Sequence, residues 1–191
     1  ATAALCFFAA AGGAQQSLDT AYTRQIRAQT SEPRFNTELT DQLPDDPRVP
    51  SPLDVLGYVP GTVGRLSHVA DINRYFRALA AASPRVRVFE AGLSDEGREM
   101  LAVAIADSTT IANLDGYRDV TRRLADPRGL AESEAHALIA RGKPVYYLTG
   151  SIHSPETGSP EMLMELAYRL AVEERTVFRD IRERVLTVIM P

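Results

Sequence analysis

The chain has 191 residues, 45% apolar and 24% charged, with a formal net charge of −4 at pH 7. This length suits one domain, with room for an appendage, and the apolar share belongs to a chain that buries a core rather than to a disordered one. A mildly acidic balance without a basic stripe argues against nucleic acid as the main partner, and no stretch reaches the roughly 18 uninterrupted apolar residues of a membrane span.

Cysteine and histidine counts narrow the chemistry further. The single cysteine, Cys6, leaves no internal disulfide and no cysteine-rich zinc module. Only His68, His136 and His153 are available, so any metal site must rest on few ligands. Of 21 basic residues all but Lys143 are arginine, a usage expected of a GC-rich bacterial genome.

In chain order, Ala3 to Ala11 is an apolar run followed by small residues and then Gln15 and Gln16. That pattern reads as a signal peptide over residues 1–14, clipped at its start, and implies a secreted or periplasmic protein; a buried N-terminal helix is the alternative. Residues 15–66 are poorly periodic, and six of the twelve prolines fall between Pro33 and Pro60. They read as a Pro-rich, extended lead-in with little core of its own. Regular structure is expected from Ser67, which is placed to cap a helix bearing Val69, Ile72, Phe76 and Leu79 and stopped by Ser83-Pro84. Val86–Phe89 and Met100–Ile105 read as two strands of a hairpin around the turn Gly92–Arg98.

Helices are then expected over Leu114–Leu124 and Ala131–Ala140. Pro144–Thr149 is a continuous apolar run of the kind that forms a buried strand, and Met162, Leu163, Leu166, Ala167 and Leu170 lie on one face of a strong helix after it. A short helix over Thr176–Glu183 precedes a final buried strand, Val185–Met190. That strand stops one residue short of Pro191, which suggests that the chain is cut there and that the isolated piece exposes apolar edges and dissolves poorly. The order of elements implies an α/β layer structure with at least one right-handed crossover.

The informative stretch runs from Leu148 to Glu161. His153 falls just past the end of a strand and just before a helix, the edge at which open α/β sheets bind ligands. Glu156 is three residues on, close enough for both side chains to reach one ion at about 2 Å, and Zn²⁺ suits a mixed N/O pair. The competing reading is local structure, because Ser154-Pro155-Glu156 and Ser159-Pro160-Glu161 both have the composition of helix starts. His136 and His68 read as solvated or locally bonded, and Asp95, Glu96 and Arg98 as turn residues. Phosphate loops, nucleophile elbows and dinucleotide fingerprints are missing from the sequence.

Two separated segments resemble one family. Gly92-Leu-Ser-Asp-Glu-Gly-Arg98 is similar to the Gly-x-Ser-x-Glu-Gly-Arg hairpin of zinc carboxypeptidases of the carboxypeptidase A type, and Gly150-Ser-Ile-His153-Ser-Pro-Glu156 to that family's His-x-x-Glu zinc motif. The helix Arg74–Leu79 followed by Ser83-Pro84 resembles the one that opens the catalytic domain. The resemblance covers residues 67–191, as the N-terminal part of a catalytic domain. It implies an α/β fold with a mixed central sheet flanked by helices, incomplete at its C-terminus. It also implies one Zn²⁺, with His153 and Glu156 as two of its three protein ligands, and metal-assisted hydrolysis of C-terminal amide bonds in peptide or protein substrates.

The family's third ligand, a histidine about a hundred residues further on, and its catalytic glutamate would lie beyond Pro191, so the resemblance leaves this chain without a general base and implies an inactive portion. Pro155 is a departure, since many members carry a substrate-binding arginine just before the motif glutamate. That departure keeps open a zinc amidase or deacylase of the same fold, and loss of the site would leave a non-catalytic binding domain.

Overall fold

The computed structural model describes residues 16–191, so the signal-peptide stretch 1–14 and Cys6 lie outside the described residues. The body is a four-stranded sheet made by β3 (Val86–Leu93), β4 (Glu99–Ile105), β5 (Val145–Thr149) and β6 (Leu186–Met190), after two short strands β1 (Leu18–Asp19) and β2 (Leu43–Pro44) that pair only with each other. Its spatial order is β3-β4-β6-β5. The β3–β4 and β4–β6 pairs are antiparallel and β5–β6 is parallel, so the sheet is mixed. Among the described residues eight α-helices accompany it: α1 (Thr20–Gln29), α2 (Pro52–Leu56), α3 (Val69–Ala82), α4 (Ser108–Ala112), α5 (Leu114–Ala125), α6 (Glu132–Arg141), α7 (Gly158–Val172) and α8 (Thr176–Arg184). Among the described residues no helix is long and apolar enough to cross a membrane.

The main core lies on one face of the sheet. Ile72, Tyr75, Phe76 and Leu79 of α3 and Leu163, Met164 and Ala167 of α7 meet Leu101, Val103, Ile105 and Ile189 there. These helices bury apolar residues at 3- and 4-residue spacing, and the strands offer alternate residues to the same side. The opposite face is covered more thinly: Ala104, Ala106, Ile111, Leu114 and Leu186 form a second, smaller cluster.

Three sequence expectations change. The helix α3 starts at Val69 with His68 in the cap position and no side-chain cap bond; Ser67 is not the cap, because its hydroxyl meets the Tyr58 hydroxyl at 2.9 Å and its amide is bonded elsewhere. The Pro-rich lead-in is packed into the body. Tyr22, Leu43, Val49 and Val59 are buried in the main core, and the Tyr22 hydroxyl donates to Glu165 Oε2 at 3.2 Å. The buried Arg169 guanidinium holds Glu165 at 2.8 Å and donates to the Thr40 carbonyl at 3.3 Å, fastening the lead-in to α7. The lead-in is also helical in part rather than extended, since α1 and α2 lie within it. Each turns only two or three apolar residues toward the core, Tyr22 and Ile26 or Leu53, Val55 and Leu56, too few to set a period that a sequence reading detects.

The third change concerns β5. A continuous apolar run predicts a buried strand, yet Val145, Tyr146 and Tyr147 are 46%, 61% and 52% exposed. The strand is last in the order and bonds to β6 on one side only; of its apolar residues Leu148 alone packs against the main core. The final strand behaves as expected: β6 lies between β4 and β5 with Leu186, Thr187 and Ile189 buried.

Candidate functional site

Because β5 and β6 run parallel, both end at the same sheet edge, and the Gly150 amide donates to the Met190 carbonyl at 2.9 Å, extending the ladder by one residue. The chain then leaves the sheet through Ser151, which has φ +49° and is the one non-glycine with positive φ among the described residues. Gly150 passes close to the start of α7; a Cβ there would stand 3.2 Å from Leu163 Cδ1 and 3.3 Å from the Pro160 nitrogen. Glycine at this point allows strand and helix to converge.

The loop so formed carries both sequence-predicted residues and brings them together. His153 Nδ1 lies 3.1 Å from Glu156 Oε2, with the two side chains 70% and 59% exposed. The Glu156 amide donates to the His153 carbonyl at 3.0 Å, so Ser154-Pro155 forms a turn rather than the alternative helix start. At this separation a nitrogen and an oxygen donor can both reach one ion at about 2 Å, so the pair fits two positions of a zinc coordination sphere. Two donors do not complete one. Among the described residues no group of three or more His, Cys, Asp or Glu side chains is assembled; His68 and His136 are exposed elsewhere, on the cap of α3 and on α6.

Three further residues shape this region, and a sequence reading sees them only as helix-start chemistry or not at all. Ser159, expected to cap α7, lies within its first turn; its Oγ accepts from the Ser151 amide at 2.8 Å. Ser151 Oγ donates to the Glu156 carbonyl at 2.9 Å. Glu161, expected to face the helix dipole, is buried and accepts the Gly61 and Ser67 amides, each at 2.8 Å. It ties the loop ahead of α3 to the helix that follows the His153 loop.

The hairpin motif has a conformational explanation. Gly92 sits at φ +136° beside a register shift in the β3–β4 ladder, and Gly97 sits at φ +74° in the turn. The Ser94 amide donates to the Arg98 carbonyl at 2.8 Å, and Ser94 Oγ accepts from the Arg98 amide at 3.1 Å. Arg98 pairs with Glu96 and, with His68, Asn73, Arg74 and Arg77, lines an open cleft of about 810 Å³ that does not include His153 or Glu156.

The profile of the zinc carboxypeptidase family matches residues 72–191, more than half of the chain and inclusive of both motifs. The chain belongs to the zinc carboxypeptidase family. Among solved structures, carboxypeptidase A from Helicoverpa armigera aligns with 66% of this chain and 24% of its own, at 19% identity and a TM-score of 0.41. No match is found among curated proteins. This zinc carboxypeptidase sequence therefore spans about a quarter of that carboxypeptidase A chain.

Proposed function

We propose that the protein bearing this chain hydrolyses C-terminal amide bonds of peptides, with His153 and Glu156 as two of the residues that hold a catalytic zinc ion. The observation that carries this reading is the approach of His153 Nδ1 to Glu156 Oε2 at 3.1 Å, at a sheet edge inside the family match. When bound, zinc supplies Lewis acidity, polarising a carbonyl and bringing the pKa of a coordinated water to about 7. His153 would offer a neutral imidazole through Nδ1 and Glu156 a carboxylate oxygen, leaving room for water and substrate once a third residue joins them. The reading requires that third ligand, and a glutamate to accept the water's proton, from outside the described residues. The apolar run Ala3–Ala11 supports export of the protein from a bacterial cell.

Pro155 favours a second reading. A proline has no charge with which to meet a substrate carboxylate, so a zinc amidase or deacylase acting on substrates without a free C-terminus is consistent with it.

The test is made on the full-length protein. One equivalent of zinc, cleavage of peptides with a free C-terminus but not of their amides, and loss of both metal and cleavage in His153→Ala support the carboxypeptidase. Cleavage of blocked substrates selects the amidase. Absence of a bound zinc equivalent leaves a non-catalytic binding domain and refutes both enzyme readings.

A further inference from the structure

The His153–Glu156 pair sits in an exposed loop, where two side chains would ordinarily sample many orientations. What holds this loop is a small closed network. The Ser151 amide donates to Ser159 Oγ at 2.8 Å, Ser151 Oγ donates to the Glu156 carbonyl at 2.9 Å, and Ser159 Oγ donates to the same carbonyl at 3.4 Å. Glu156 is thus held at its carbonyl by two hydroxyls and at its amide by the His153 carbonyl. Ser151 takes part from a left-handed backbone conformation, φ +49°, which disfavours a residue with a Cβ. Glycine would relieve that conformation but carries no hydroxyl.

We propose that Ser151 and Ser159 form a clasp that positions Glu156 against His153, so that the loop presents both metal donors already converged. The proposal rests on the reading of His153 and Glu156 as zinc ligands. The clasp touches neither metal nor substrate: Ser151 and Ser159 are positioning residues. They act through the Glu156 backbone, as outer-shell partners orient ligands in other metal sites. Pre-organisation of this kind reduces the ordering that binding would otherwise require.

The clasp makes a signature that a purely structural role lacks, because stability and metal affinity should separate. In Ser151→Gly the left-handed backbone becomes easy while the hydroxyl is lost. The melting temperature of the zinc-free protein should therefore hold or rise, while zinc affinity falls about tenfold. Ser159→Ala removes the acceptor for the Ser151 amide and should weaken zinc binding by about tenfold or more, whereas Ser159→Thr keeps the hydroxyl and should stay within about threefold of the parent.

Zinc affinity is read by chelator competition on the full-length protein, with amide hydrogen exchange at Ser151 as a second readout that does not depend on activity. Faster exchange at Ser151 in Ser159→Ala, together with the affinity pattern above, supports the clasp. Parental affinity in both Ser151→Gly and Ser159→Ala overturns it while His153→Ala still abolishes zinc binding. A full zinc equivalent retained in His153→Ala overturns instead the ligand assignment beneath it. If Ser159→Ala does not fold, Ser151→Gly decides the matter alone.

Discussion

Glu161→Ala should loosen the entry to α3 and cost the protein about 3 kcal/mol. Glu161 is only 7% exposed, and its carboxylate accepts two amides at 2.8 Å, from residues 100 and 94 positions away in sequence. Hydrogen bonds to a charged group contribute about 1.5–3 kcal/mol each. Gly61 is exposed and its amide recovers water after the substitution, so its share is small, about 1 kcal/mol. Ser67 is 8% exposed, and its orphaned amide accounts for the remaining 2 kcal/mol or so.

The effect is concentrated because α3 has no side-chain cap, so the Ser67–Glu161 bond holds the chain where the helix begins. A urea titration at neutral pH should show a lower midpoint at unchanged slope, and a melting temperature lower by about 6–12 °C for a domain of this size. Hydrogen exchange at the Ser67 amide should accelerate with it. Glu161→Gln keeps one acceptor and turns an NH₂ toward a donor, so its loss should be intermediate. A cost below about 1 kcal/mol for Glu161→Ala, with Ser67 still protected, would refute the reasoning.

Four other outcomes are expected. Burial works against ionisation of Asp107, but hydrogen bonds from Lys143, Thr109 and Thr110 outweigh it and hold the carboxyl well below the usual range. A depressed folded value means stability present above the unfolded pKa of about 3.9 and lost as pH falls through the folded value. The gap in urea midpoint between parent and Asp107→Asn should therefore be full at pH 6 and shrink steadily below pH ~4. Gly150→Ala should cost about 1–2 kcal/mol, read by thermal melting, because the new Cβ meets Pro160 backbone that cannot turn aside. Tyr146→Lys places a charge on the exposed edge strand and should reduce concentration-dependent self-association in sedimentation, while leaving the melting temperature within about 2 °C. Arg169→Met should destabilise by about 3 kcal/mol in urea titration, because Glu165 loses its cation and the Thr40 carbonyl its donor, while Glu173 keeps its pair with Arg175.

Much of the regular structure was legible in the sequence. The β3–β4 hairpin, α3, α5, α6, α7 and α8 follow from 2- and 3.6-residue periods, from turn glycines and from Ser83-Pro84, all of which act between residues a few positions apart. The motif His153-x-x-Glu156 was legible for the same reason, since a short turn alone brings its two donors together. The helix-start composition at Ser154–Glu156 and at Ser159, the competing reading of this stretch, is not realised at either serine: Ser154-Pro155 forms a turn and Ser159 lies inside the first turn of α7. Those patterns specify a preference, and here Ser159 Oγ is taken by the Ser151 amide in place of a cap.

The sequence by itself determined the longer helices and the strands from α3 onward, the hairpin turn, and the pairing of one histidine with one glutamate at the end of a strand. Tertiary structure alone decided that the Pro-rich lead-in joins the main core, that β5 lies at the exposed end of the sheet, and that Glu161 reaches back about 100 residues to Gly61. The division has a physical cause. Local dihedral preference and apolar period are written into neighbouring residues, whereas burial and long-range hydrogen bonds depend on which surfaces meet after the chain has closed on itself.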